Sequence, residues 1–177
     1  MDWKSILREQ FSSKNWEGAV TLMGNVTGSD ECDLDAYLNY IYLLEHLLLG
    51  PVWDLDTDDP LLVKAQDEIY EVFDRARSLY SDNPDFLFWV GWLAVWGEWF
   101  FKMTTEDAQR MMEEAHQLCP ENILFTLAEV SGCDSASEAA YQVCVKKILS
   151  DKDIISYISA KGTVGDYMLR FLNNALD

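Results

Sequence analysis

Apolar residues recur at three- and four-residue spacing along almost the whole 177-residue chain, and nowhere do apolar and polar residues alternate long enough to make a strand. That pattern predicts an all-α fold. Helices are expected over about 2–12, 16–26, 34–49, 60–81, 85–102, 105–118, 121–130, 135–149, 152–160 and 164–175. Asp59-Pro60 offers a capping oxygen followed by a proline at a first helical position, and Thr104-Thr105-Glu106-Asp107 sets hydroxyls and then acids at a positive helix end. Ser135 with Glu138 has the spacing of a capping box. Gly50-Pro51, Asn83-Pro84, Cys119-Pro120 and Gly132 each interrupt a helical pattern. The short connections imply antiparallel neighbours in one helical domain over residues 1–177, with an acidic N-terminal part (1–63) and C-terminal helices over 135–176.

The run from Phe86 to Phe101 is apolar except for Glu98, with Gly91 and Gly97 inside it. It is shorter than the ~20 residues a bilayer needs, and Glu98 would be costly in lipid, so a helix buried in protein is expected instead. Trp89, Trp92, Trp96 and Trp99 form one stripe along it. Trp92 and Trp99 are expected in the core, with Trp96 open to either core or interface.

Thirteen Lys and Arg against 31 Asp and Glu give a net charge of −18, which would repel a phosphate backbone or an anionic lipid surface. Neither nucleic acid nor membrane is an expected partner. The N-terminus mixes charges among its apolar residues where an export signal needs an unbroken apolar stretch. Cys32, Cys119, Cys133 and Cys144 are unevenly spaced in a chain long enough to hold a core without disulfides. Reduced thiols and a cytoplasmic location are the expectation.

Between Trp89 and Asn122 the sequence resembles a tetratricopeptide repeat, a helix-turn-helix of about 34 residues. Ala108, Met112, Ala115 and Pro120 match the family's small, bulky, small and proline positions, and Trp92, Val95 and Trp99 match positions of the first helix. The family's small residue in that helix falls on Trp96, with Gly97 one place late. The same frame laid on the N-terminus meets Trp3, Ile6, Ala19, Met23 and Val26, and a partial third unit meets Ile69, Phe73 and Ala76. The resemblance implies antiparallel helix-turn-helix pairs in a short, degenerate tetratricopeptide-like array.

From Asn15 to Val63 there are ten acids and no Lys or Arg. Within that stretch Trp53-Asp54-Leu55-Asp56-Thr57-Asp58-Asp59-Pro60 interleaves acids with apolar anchors. Trp53, Asp54, Asp56, Asp58, Asp59 and Trp96 are therefore the candidate partner-binding residues, suited to a basic protein. Asp54, Asp56 and Asp58 alternate as in a calcium loop, but Asp59 and Ala65 stand where that loop requires Gly and a bidentate Glu. His116 and Cys119 lack the partners of a four-ligand metal set. His46 is expected to flank an apolar helix face. No catalytic residue, metal or cofactor is expected, because no motif converges on one.

The expected role is a non-enzymatic protein-binding module with one basic protein partner. Small, acidic, degenerate helical-repeat chains are similar to bacterial immunity proteins, which neutralise a cognate toxin domain by stoichiometric binding. A secretion chaperone or assembly adaptor of tetratricopeptide type, holding a secreted client, is the second expectation. A nucleic-acid mimic ranks third, since apolar residues dilute the charge.

Overall fold

A computed structural model describes residues 2–29, 32–50, 58–130 and 135–176, with only the backbone given for 135–137. Among these residues there are helices and turns and no strand. The helices are α1 (Trp3–Ser12), α2 (Trp16–Thr27), α3 (Leu34–Leu49), α4 (Pro60–Tyr80), α5 (Pro84–Ala94), α6 (Thr105–Leu118), α7 (Leu127–Val130), α8 (Ser135–Ser150), α9 (Lys152–Ala160) and α10 (Thr163–Asn174). Two 3₁₀ turns, Glu98–Phe101 and Ile123–Thr126, lie between them.

Local chemistry sets where these helices begin. The side chains of Asp2, Asn15, Asp33, Asp59, Asn83 and Asp151 each accept a backbone N–H of the first turn that follows. Thr104 and Asp107 form a reciprocal capping box. Each such cap is worth about 1 kcal/mol, because it satisfies donors that the helix leaves open. The proposed box at Ser135–Glu138 and the stop at Gly132 rest on atoms outside the described residues.

Two expected helices are modified. The segment foreseen as one helix over 85–102 ends at Ala94, turns through 95–97 and resumes as the 3₁₀ turn Glu98–Phe101. Gly97 adopts φ −156° and ψ 43°, and a Cβ there would lie 2.8 Å from the Phe100 ring. Lys102, at φ 53°, closes the turn. The helix foreseen over 121–130 starts one turn late as the 3₁₀ turn capped by Asn122.

Buried on nearly every side, α3 is the centre of the molecule and packs against α2, α4, α5 and α10. Leu38, Ile41, Leu43 and Leu44 are fully buried. A helix apolar all round has to be enclosed by its neighbours, which is what the Leu-rich sequence of α3 demands. Fully enclosed, α5 contributes Phe86, Phe88 and Trp89, each worth roughly 1.5–3 kcal/mol of burial. It approaches α6 tightly at Gly91, where a Cβ would stand 2.7 Å from the Ala108 carbonyl oxygen. Ala108, Met112 and Ala115 of α6 are buried as expected, but the small residue facing them from the first helix is Gly91.

A polar network fastens the C-terminal helices to the rest. Lys161 donates to Asp35 of α3 and Asp85 of α5, and Lys4 of α1 also donates to Asp35. The Tyr157 hydroxyl donates to Asp85. Asn39, wholly buried, donates to the Lys161 carbonyl at 2.6 Å and accepts from the Thr163 hydroxyl at 2.8 Å. Gly162 sits at φ 85°, a conformation that favours glycine, with Asn39 too close for a side chain. Arg8 makes a two-pronged contact with Asp166. Burial alone would lower the Lys161 pKa, but Asp85 and Asp35 outweigh it and hold it above the ordinary value.

Candidate functional site

Where α3 ends, its last turns line a pocket of about 430 Å³. Tyr42, Glu45, His46, Leu49 and Gly50 come from α3 and its end, Leu93 from α5, Trp96 from the turn after it, and Tyr167 from α10. The early end of α5 makes this arrangement, because it frees Trp96 from the helix. The same turn brings Gly97 against Glu45, so close that a Cβ on Gly97 would lie 3.2 Å from Glu45 Oε1.

Glu45 is 5% exposed, and its Oε1 makes no hydrogen bond. Burial pushes its pKa up to about 8, so the carboxyl is mostly protonated at neutral pH. Burial, and then the Arg170 charge, lowers the pKa of His46, which is therefore neutral. Burial also raises Tyr42 and Tyr167. Arg170 acts on Tyr42, His46 and Tyr167, while burial is the cause of the shift at Glu45. The lining groups themselves thus favour their neutral forms, although the chain as a whole carries −18.

A continuous series of rings runs through three of its lining residues, Tyr42, Tyr167 and Trp96. Trp16 meets Phe11 edge-on at 5.3 Å, Phe11 stacks on Tyr42, and Tyr42 stacks on Tyr167 at 5.0 Å. Tyr167 meets Trp92, which meets Phe171, and Phe171 in turn meets Trp96. Such contacts hold the walls by about 0.5–1.5 kcal/mol each beyond the area they bury.

Against protein-family models, curated proteins and solved structures, the chain finds no match. The chemistry is therefore read from the residues themselves. Among the described residues, no three His, Cys, Asp or Glu side chains cluster closely enough to hold a metal ion. His116 instead approaches Glu129 at 3.1 Å. Cys32, Cys119 and Cys144 are free thiols, and burial is the first cause raising the pKa of each. No described helix is long and apolar enough to cross a membrane.

The candidates read from the sequence are divided by the structure. Trp53, Asp54 and Asp56 lie outside the described residues. Asp58 is exposed, and Asp59 is the cap of α4, accepting from the Leu61 N–H at 2.8 Å. Trp96 is 53% exposed and borders the pocket. The expectation for Trp99 is corrected: it is 57% exposed and not in the core, because the 3₁₀ turn rotates it away from the stripe that a continuous helix would have kept. Trp92, at 6%, is in the core as expected. His46 borders the pocket on the flank of α3. The sequence reading counted Glu45 only as one acid among ten. A carboxyl set in the run 40–49, apolar but for it and His46 and well past the first turn that holds Asp35, was the signal that could have found it.

Proposed function

We propose that the chain is a non-enzymatic, cytoplasmic protein-binding module that holds one basic protein partner, and that it acts as an immunity protein neutralising a cognate toxin by stoichiometric binding. The observation that carries the reading is Trp96, more than half exposed at the mouth of an apolar pocket. An exposed Trp beside a hollow is the kind of anchor on which interface energy concentrates. Trp99 and Leu49, also exposed, extend the apolar surface on the same segment and at the pocket edge. The net charge of −18 favours a basic surface opposite, with Asp54, Asp56, Asp58 and Asp59 as its recruiting acids. In the same reading α5 and α6 form the antiparallel pair of a tetratricopeptide-like unit, in a short array that presents the pocket.

Capture from cells with the parent chain and with the double variant Trp96→Ala/Trp99→Ala tests the reading. A single basic protein retained one-to-one by the parent and lost by the variant supports it. A partner held equally by both chains sinks the assignment of these anchors, and recovery of extended, unfolded segments points to a chaperone instead.

A further inference from the structure

The pocket around Glu45 holds an acid that the fold leaves unpartnered. Glu45 is 5% exposed, its Oε1 has no hydrogen-bond partner among the described residues, and the titratable groups lining the pocket with it are Tyr42 and His46 on the same helix and Tyr167 on α10. An orphaned buried carboxyl is costly, and chains that keep one commonly use it. The volume of about 430 Å³ falls in the range of small-ligand sites. Among the described residues its lining holds the rings of Tyr42, His46, Trp96 and Tyr167 and one acid, Glu45. Rings around a cation, with an anion to complete it, are the chemistry that recognises substituted ammonium groups.

We infer that this pocket is a binding site for an organic ammonium group, seated against the Glu45 carboxylate and enclosed by the rings of Tyr42, Tyr167 and Trp96. With no cation beside it, Glu45 favours its protonated form because burial opposes the charge. A cation arriving beside it reverses that balance, so the O–H proton of Glu45 leaves to solvent as the ion pair forms. Among the neighbouring groups burial, and then the Arg170 charge, favours the neutral form of His46, and burial favours the protonated forms of Tyr42 and Tyr167. Arg170 sits beside the tyrosines and borders a separate hollow with Arg8 and Asp166, so it does not take the place of the cation at Glu45. The inference stands apart from the identity of any protein partner. A free small amine and a lysine side chain carry the same chemistry, and the experiment separates them.

Titration calorimetry at pH 7 in phosphate and in MOPS, whose ionisation enthalpies differ and neither of which is a net cation, measures both affinity and protons released. The probes are benzyltrimethylammonium, N-acetyl-lysine methylamide and neutral benzyl alcohol. At least one ammonium probe is expected to bind about tenfold or more tightly than benzyl alcohol, with close to one proton released per cation bound. The tighter of the two ammonium probes names the source. Binding is expected to strengthen as pH rises from 6 to 8, because Glu45 then gives up its proton more readily. Glu45→Gln should release no proton and bind about tenfold or more weakly. Trp96→Ala, at an exposed position that does not carry the fold, should weaken the cation several-fold. Benzyl alcohol binding as tightly as the cations, binding that strengthens as pH falls, no binding of either cation, or unchanged binding in both variants would each overturn the inference.

Discussion

At the scale of single residues, Glu45 makes the sharpest prediction about stability. Its folded pKa of about 8 lies above the 4.5 it has when unfolded, so between those values the native chain holds a proton that the unfolded chain has lost. The parent should therefore lose stability as pH rises from about 4.5 to about 8, with no such penalty below that window. Glu45→Gln removes the titration. The variant should gain on the parent by up to ~1.4 kcal/mol per pH unit across the window, read as urea midpoints at pH 5 and pH 7.5. A gap that stays constant with pH would show that Glu45 is ionised in the folded chain. Trp99 makes the opposite point about legibility. Its three-residue spacing from Trp96 reads as one stripe only while the helix continues, and the interruption depends on the Gly97 backbone, which composition alone does not reveal.

At the scale of helices, the sequence was most legible where chemistry is local. The end of α3 before Gly50 and both ends of α6 follow directly from the stops and the cap in the sequence, and Asp59 caps α4 as its place before Pro60 implies. Contacts between helices were less legible, since the close approach of α5 and α6 is at Gly91 and not near Trp96. Gly91→Ala tests this contact. A helical Gly→Ala change alone would gain up to about 1 kcal/mol, but the new Cβ would stand 2.7 Å from a backbone oxygen that cannot swing aside. The clash should win, with a net loss of about 1–3 kcal/mol in a denaturant titration. A stabilised variant would show that the two helices slide apart easily. Lys161 supplies a second test at this scale. Replacing it by Met removes the cation between Asp35 and Asp85, whose side chains are 21% and 26% exposed. The loss should be about 2–3 kcal/mol, below the range for a fully buried pair, because water reaches both acids and Lys4 still serves Asp35. Thermal melting at neutral pH reads it, and an unchanged midpoint would make the network ornamental to stability.

At the scale of the whole molecule, charge and topology act separately. Several acids of the stretch from Asn15 to Val63 have structural work, Asp33 and Asp59 as caps and Asp35 as the partner of Lys4 and Lys161, yet the stretch contains no Lys or Arg of its own. Replacing Asp54, Asp56, Asp58 and Asp59 by Asn should slow association with the basic partner about tenfold or more at low salt, and the difference should fade as salt rises. Stability should fall only by the ~1 kcal/mol of the Asp59 cap. Equal association rates at two ionic strengths would leave recognition to the aromatic pocket alone. All-α architecture was legible because periodicity is a property of each segment, whereas the pocket was not, since it joins Tyr42, Trp96 and Tyr167 from distant parts of the chain. That joining has a consequence for synthesis. Arg8 reaches Asp166, Lys4 reaches the Ala160 carbonyl, and Asn39 waits for Thr163. A nascent chain leaving the ribosome therefore cannot complete these contacts, or cover the face of α3 that meets α10, until α9 and α10 have emerged.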